Sequence, residues 1–214
     1  MKIKISIVFL ILLSFFNLGA ISKNFNNTQN SFNNLENSIS STSKFEADGV
    51  KLQYKTTDNI EKEIIRIKQH LINNINGNYE DLGNNQFEIY NKDLDINIKM
   101  WYEGKYTYIE IILLNKNLDY STKYLKDLLK NIENNKMEDV QYFIYYEGKE
   151  LNKDYTIDKL INENNLKNVK FLDINNGYAG TGYLSNGDKI NFALIKYDTG
   201  SHIIIGTPMI FATY

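Results

Sequence analysis

The sequence predicts an α+β fold, with two copies of a strand–helix–three-strand unit forming antiparallel sheets that carry helices on one face. Three observations lead there. A few short stretches repeat apolar residues at helical spacing, and most of the rest alternates apolar and polar residues every two positions. The strands come in runs with helices between them, rather than in the strict alternation that a parallel sheet requires. With 214 residues and no cysteine, the chain is long enough to bury a core of its own without disulfides.

The N-terminus has the layout of a secretory signal peptide over residues 1–22. Met1-Lys2-Ile3-Lys4 is cationic, and Ile5 to Phe16 is apolar except for two serines. Leu18-Gly19-Ala20-Ile21-Ser22 supplies small residues at cleavage spacing. The apolar run falls short of the roughly 20 residues that a spanning helix needs, so cleavage is expected in preference to an uncleaved anchor. Either outcome places the remaining chain outside the cytoplasm. Residues 23–45, rich in Asn and Ser, read as a spacer. Phe32, Leu35 and Ile39 fall at i, i+3 and i+7, which also allows a short docked helix.

A first half is expected over 46–118 and a second over 119–214. The first opens with a strand around Val50 to Tyr54. The helix that follows has Asp58 as N-cap, an Ile60-Ile64-Ile67-Leu71-Ile75 stripe and Gly77 at the C-terminal left-handed position. Three strands are then expected at Gln86–Tyr90, Leu94–Tyr102 and Tyr106–Leu114, the last two joined through Glu103-Gly104-Lys105. In the second half, Leu125, Leu128, Leu129 and Ile132 mark a helix from Ser121 to about Asn134. A strand at Gln141–Glu147 and a helix at about Thr156–Asn164 follow. Strands at Lys170–Ile174, Tyr178–Leu184, Lys189–Tyr197 and His202–Tyr214 close the chain. Asn176-Gly177 and Asn186-Gly187 suit two-residue hairpin turns.

Little in this chain points to catalysis. His70 and His202 are the only histidines, and they are too few and too far apart in sequence to suggest a metal site. No serine carries a nucleophile-elbow signature. Asp93-Leu94-Asp95-Ile96-Asn97 begins like a calcium loop, but Ile98 stands where glycine belongs and Gly104 where glutamate belongs. Gly177, Gly180 and Gly182 lead into a strand, so no helix N-terminus waits for a pyrophosphate. Neither a metal nor a cofactor is expected. Loss of Lys2 and Lys4 with the leader moves the formal net charge from −2 to −4, and Arg66 is the sole arginine. Nucleic acid is therefore not an expected partner.

Aromatic residues carry the functional expectation. Sixteen of the residues are tyrosines. Alternation puts Trp101 on the polar side of its strand, with Tyr106, Tyr108 and Glu110 facing the same way across the hairpin. If helices cover the aliphatic face, Trp101, Tyr106 and Tyr108 form an open surface bordered by Lys99 and Glu110, suited to a protein or cell-wall component. The competing expectation buries both faces between the halves, and for Trp101 itself the sequence narrowly favours burial.

The C-terminal segment Lys189-Ile190-Asn191-Phe192-Ala193-Leu194, with Ile205-Gly206-Thr207-Pro208-Met209-Ile210 and Tyr214, resembles the YwmB-like family of exported proteins from Gram-positive spore formers. Thr213 replaces the family's acidic residue. The resemblance implies a duplicated fold shaped like the TATA-box-binding protein, with Gly206, Thr207, Pro208 and Tyr214 as a structural motif. The acidic charge and the export signal argue against carrying DNA binding over with the shape. The expected function is a non-enzymatic extracytoplasmic binding module. The alternative, a cell-wall polymer hydrolase, would need two carboxyl groups about 5–9.5 Å apart in a cleft.

Overall fold

The computed structural model describes residues 25–152 and 155–211. They form an α+β fold with four helices and ten strands, antiparallel in every ladder described below. The chain divides into two compact units, a central one from Phe45 to Gly148 and a flanking one built from the stretch up to Lys44 and the stretch from Lys149 onward. The element order had predicted a division near residue 118. The actual boundary falls at the ends of two long strands, β1 (Lys44–Thr56) and β6 (Glu138–Lys149).

In the central unit the strand order is β2-β3-β4-β5-β1-β6. Here β2 is Asn78–Gly83, β3 Gln86–Tyr90, β4 Leu94–Glu103 and β5 Tyr106–Asn115. Strand β2, Asn78-Tyr79-Glu80-Asp81-Leu82-Gly83, was not among the expected strands. It is an edge strand, largely exposed and barely alternating. Its turn is Asn84-Asn85, both at positive φ (52° and 58°), a conformation that asparagine tolerates better than most residues. Strand β4 buries Leu94, Ile96, Ile98 and Met100, and β5 buries Thr107, Ile109, Ile111 and Leu113, on one common face. Asp95 and Asn97, the start of the calcium-like motif, simply occupy alternate positions on the other face.

Helix α2 (Ile60–Ile75) lies against the covered face. Ile60, Ile67, Leu71 and Ile75 are buried as the stripe predicts, but Glu63 is buried too, where Ile64 was expected. Tyr54 on β1 donates to the Glu63 carboxylate (2.6 Å). Arg66 binds the same carboxylate through Nε (3.1 Å) and Nη2 (2.6 Å). Its Nη1 donates to the Ile132 carbonyl, just beyond helix α3 (Thr122–Lys130). The sole arginine thus ties α2 to both β1 and the end of α3. Burial and the Glu63 charge push the Tyr54 pKa well above its ordinary value. The caps are also displaced by one residue from the expected ones. Asn59, not Asp58, accepts from the Lys62 N–H (3.0 Å), and Asn76, not Gly77, takes the left-handed position (φ 48°). Gly77 is small for another reason: a Cβ there would lie 2.9 Å from both Ile75 and Ile89 side-chain atoms.

In the flanking unit, residues 25–40 form helix α1, with Phe32, Leu35 and Ile39 fully buried. The spacer expectation thus gives way to the docked helix over this stretch, whose three apolar residues fall on one helical stripe and are all buried. Residues 1–22, the expected signal peptide, lie outside the described residues. Helix α4 (Ile157–Glu163) precedes four strands in the order β10-β9-β8-β7. These are β7 (Lys167–Ile174), β8 (Gly177–Tyr183), β9 (Lys189–Tyr197) and β10 (Gly200–Thr207). Only the glycines of the two Asn-Gly pairs take positive φ. The first hairpin turns through Asn175-Asn176, and the second uses a five-residue loop, 184–188.

The C-terminal strand stops at Thr207, so the expected continuation past Pro208 is absent among the described residues up to 211. The Thr207 hydroxyl donates to the Lys189 carbonyl (2.8 Å), and the Thr207–Pro208 peptide is cis. Gly206 is not at positive φ. A Cβ there would meet the Met209 carbonyl at 2.7 Å and the Ile210 backbone at 2.8 Å, so the returning chain, rather than φ, demands glycine. Tyr214 lies outside the described residues.

Candidate functional site

Strict alternation along β4 and β5 leaves one face of the central unit that reaches solvent. Register brings the expected residues together there, with Trp101 opposite Tyr108, Lys99 opposite Glu110, and Tyr106 opposite Glu103 at the hairpin end. Trp101, Tyr106, Tyr108 and Glu110 are half-buried and Lys99 is exposed. Trp101 is therefore neither the core residue that the sequence narrowly favoured nor a fully exposed one. Its ring stacks on Tyr108, with centroids 5.7 Å apart and planes 14° off parallel. Such pairs add roughly 0.5–1.5 kcal/mol beyond the area they bury.

Strand β1 adds residues that sequence reasoning missed. Gln53 lies opposite Glu110 and Lys55 opposite Tyr108, although more than fifty residues separate them along the chain. The Lys51-Leu52-Gln53-Tyr54-Lys55-Thr56 alternation was the available signal, but nothing local says which strand β1 will join. Gln53 Nε2 donates to Glu110 Oε2 (2.5 Å), and Lys51 Nζ approaches the same oxygen at 3.4 Å. Lys55 Nζ sits 4.6 Å from the Tyr106 ring centroid and 2.6 Å from an Asp139 oxygen. That hydrogen bond to Asp139 raises the Lys55 pKa, keeping it cationic across the physiological range. On β3 and β4, Asn97 Nδ2 donates to Glu88 Oε1 (2.9 Å). Partial burial, with help from the Glu88 charge, raises the Asp95 pKa.

The remaining sequence candidates are placed elsewhere. Gly206, Thr207 and Pro208 end β10 in the flanking unit, where they serve the chain reversal described above. His202 is buried against the Tyr197 ring, 5.0 Å away and edge-on. His70 is half-buried on α2, and among the described residues its Nε2 has no hydrogen-bond partner. Neither histidine is part of the aromatic face. Chemically, the face can offer ring surfaces, amides and paired charges for recognition. The carboxylates of Glu110 and Glu88 each accept a hydrogen bond from an amide side chain.

No protein family matches the sequence, and no curated protein matches it either. Among solved structures, the chain is similar to the crystal structure of DynU16, a protein in the dynemicin biosynthetic locus. Identity is 7%, the TM-score is 0.26, and the match covers 74% of this chain and 86% of that one. A likeness that slight carries no argument about fold or function.

Proposed function

We propose that this chain is an exported, non-enzymatic binding module that takes a protein or cell-wall component on the open face of β1, β4 and β5. The observation behind the reading is the Trp101–Tyr108 stack, half-exposed on strands whose other face buries the aliphatic run Leu94, Ile96, Ile98, Ile109, Ile111 and Leu113. Core packing does not require those rings on that side. Amphipathic rings with a polar border are the usual make-up of recognition surfaces. The sequence features of export and the YwmB-like C-terminal motif favour the same reading.

We also read the fold as the duplicated, TATA-box-binding-protein-like one. Its support is the element order, in which β1-α2-β2-β3-β4-β5 is followed, after the intervening helix α3, by β6-α4-β7-β8-β9-β10. The three-strand runs β3-β4-β5 and β8-β9-β10 are meanders of the same kind. DNA binding does not follow from the shape, given the acidic net charge and the single arginine.

Export is tested by mass spectrometry of protein released from the producing cell, where the expected species begins near Lys23. The binding face is tested by replacing Trp101 with alanine. That should cost about 1–2 kcal/mol of stability, between the values for surface and core changes. It should weaken retention on the cognate surface by about 2 kcal/mol, the scale of an interface hot spot. A folded Trp101→Ala chain that is retained as well as the parent would refute the reading.

A further inference from the structure

Resting on that reading, we infer that the ligand of the open face is a neutral glycan, a short run of pyranose rings bearing hydroxyl or amide groups. The charge pattern argues for neutrality. Glu110 is engaged by Gln53 and Lys51, Lys55 by Asp139, and Glu88 by Asn97. Lys105 lies over the Tyr106 ring at 5.0 Å. A charged ligand would have to break these pairs and leave their partners behind, which is costly. A neutral polar one can use what they leave over, since a carboxylate has about four acceptor sites and an amide several donor and acceptor sites. The three charges on β4 that remain, Asp95, Lys99 and Glu103, are of mixed sign and sum to −1, so they give no pull on a polyanion.

The strand positions argue against an extended peptide. Peptides that recognise sheets do so by adding a strand at a free edge. Here β1, β4 and β5 each have neighbours on both sides, so their main-chain groups are already committed to ladders and only side chains are on offer. A pyranose has an apolar ring face and a polar rim, which matches the Trp101 and Tyr108 rings beside the amides of Gln53 and Asn97. Alternate residues along a strand are ~6.6–6.8 Å apart, so the rows of Trp101, Lys99 and Asn97 cover about 13 Å, room for an oligosaccharide rather than one sugar.

Trp101 is the only tryptophan in the chain, so its fluorescence reports on this face alone. The full chain is titrated with the tetrasaccharides of N-acetylglucosamine and of glucose, and separately with polyglutamate and with an unrelated extended peptide. A saturable change in emission with at least one tetrasaccharide is expected, nearly independent of salt as an uncharged ligand requires. Tyr108→Ala, and separately Gln53→Ala, should weaken it about tenfold or more while the denaturation curve stays cooperative. No response to either tetrasaccharide overturns the glycan inference. A saturable response to polyglutamate or the peptide in that case leaves the sheet-face reading standing. If Trp101→Ala also leaves surface retention unchanged, both fail together. A tetrasaccharide response that survives both substitutions overturns the proposed geometry.

Discussion

The β4–β5 and β9–β10 hairpins are both regular antiparallel pairs, yet only the first keeps a face that reaches solvent. Along β4 and β5, burial alternates residue by residue. Along β9 every residue from Ile190 to Ile195 is buried, and along β10 every residue from His202 to Thr207. The difference is written in composition. Leu94-Asp95-Ile96-Asn97-Ile98-Lys99 supplies apolar groups to one side, whereas Ile190-Asn191-Phe192-Ala193-Leu194-Ile195 supplies them to both. A continuous apolar run must be covered twice. On β9–β10 one of the two faces carries Asn191, Ala193, Ile204 and Gly206, and at Gly206 the returning backbone of Met209 and Ile210 lies directly upon it. Of these two hairpins, only the one whose sequence alternates keeps a face open to solvent.

The sharpest test of this contrast sets Phe192→Ala against Ile112→Ala. Phe192 is 1% exposed, and its truncation should cost about 3–5 kcal/mol. Ile112 sits on the open face of β5, and its loss should cost under about 1 kcal/mol. Chemical denaturation measures both, and equal costs would erase the distinction. Next is the cover itself. Arg66→Ala strands the Glu63 carboxylate, whose side chain is 2% exposed, and should cost about 3 kcal/mol. Replacing the pair together, Glu63→Leu with Arg66→Met, should recover most of that loss. A double variant as unstable as the single one would mean that the ion pair is not what holds α2 in place.

Gly206→Val addresses the second cover on β10. Its side chain would collide with backbone, which cannot swing aside as a long side chain can, so a loss of about 2 kcal/mol is expected. An unchanged melting temperature would show that the returning chain is not a fixed cover. The smallest expected effect concerns pH. Burial, then the nearby Arg66 charge, lowers the His70 pKa below its ordinary value. The unfolded chain therefore binds the proton first. Stability from this source is complete above about pH 6.5 and declines as pH falls toward the lowered folded value. His70→Gln should remove that slope, so the gap between parent and variant midpoints should change between pH 7.5 and pH 5. Parallel midpoints would exclude His70 as its source.

Much of the central unit could be read directly from the chain, and the exceptions have physical causes. The β4–β5 hairpin and its two faces were legible because a strand exposes its period in six or eight residues. Strand β2 was not, since an edge strand in solvent has no need of an apolar side. Glu63 was passed over for Ile64 because no local rule predicts that an acid will be buried with an arginine three residues on and a tyrosine from another strand. The Asn-rich stretch before Lys44 looked like a spacer by composition, yet it forms a helix that buries Phe32, Leu35 and Ile39.

For the candidate site, Trp101, Tyr106, Tyr108, Lys99 and Glu110 could be grouped from sequence because one tight turn joins their strands. Gln53 and Lys55 could not, since their place beside Glu110 and Tyr108 depends on β1 pairing with β5. By itself the sequence determined the α+β class, the alternation that gives β4 and β5 one apolar and one polar face, and a composition with two histidines, one arginine and no cysteine. These are local or compositional properties, set within a few residues or by simple count. Tertiary structure alone decided which distant strand completes the aromatic face, how deeply Trp101 sits, which charges neutralise one another, and why Gly206 must lack a side chain. Each of these depends on which distant segments meet, and long-range pairing is fixed only when the whole core packs.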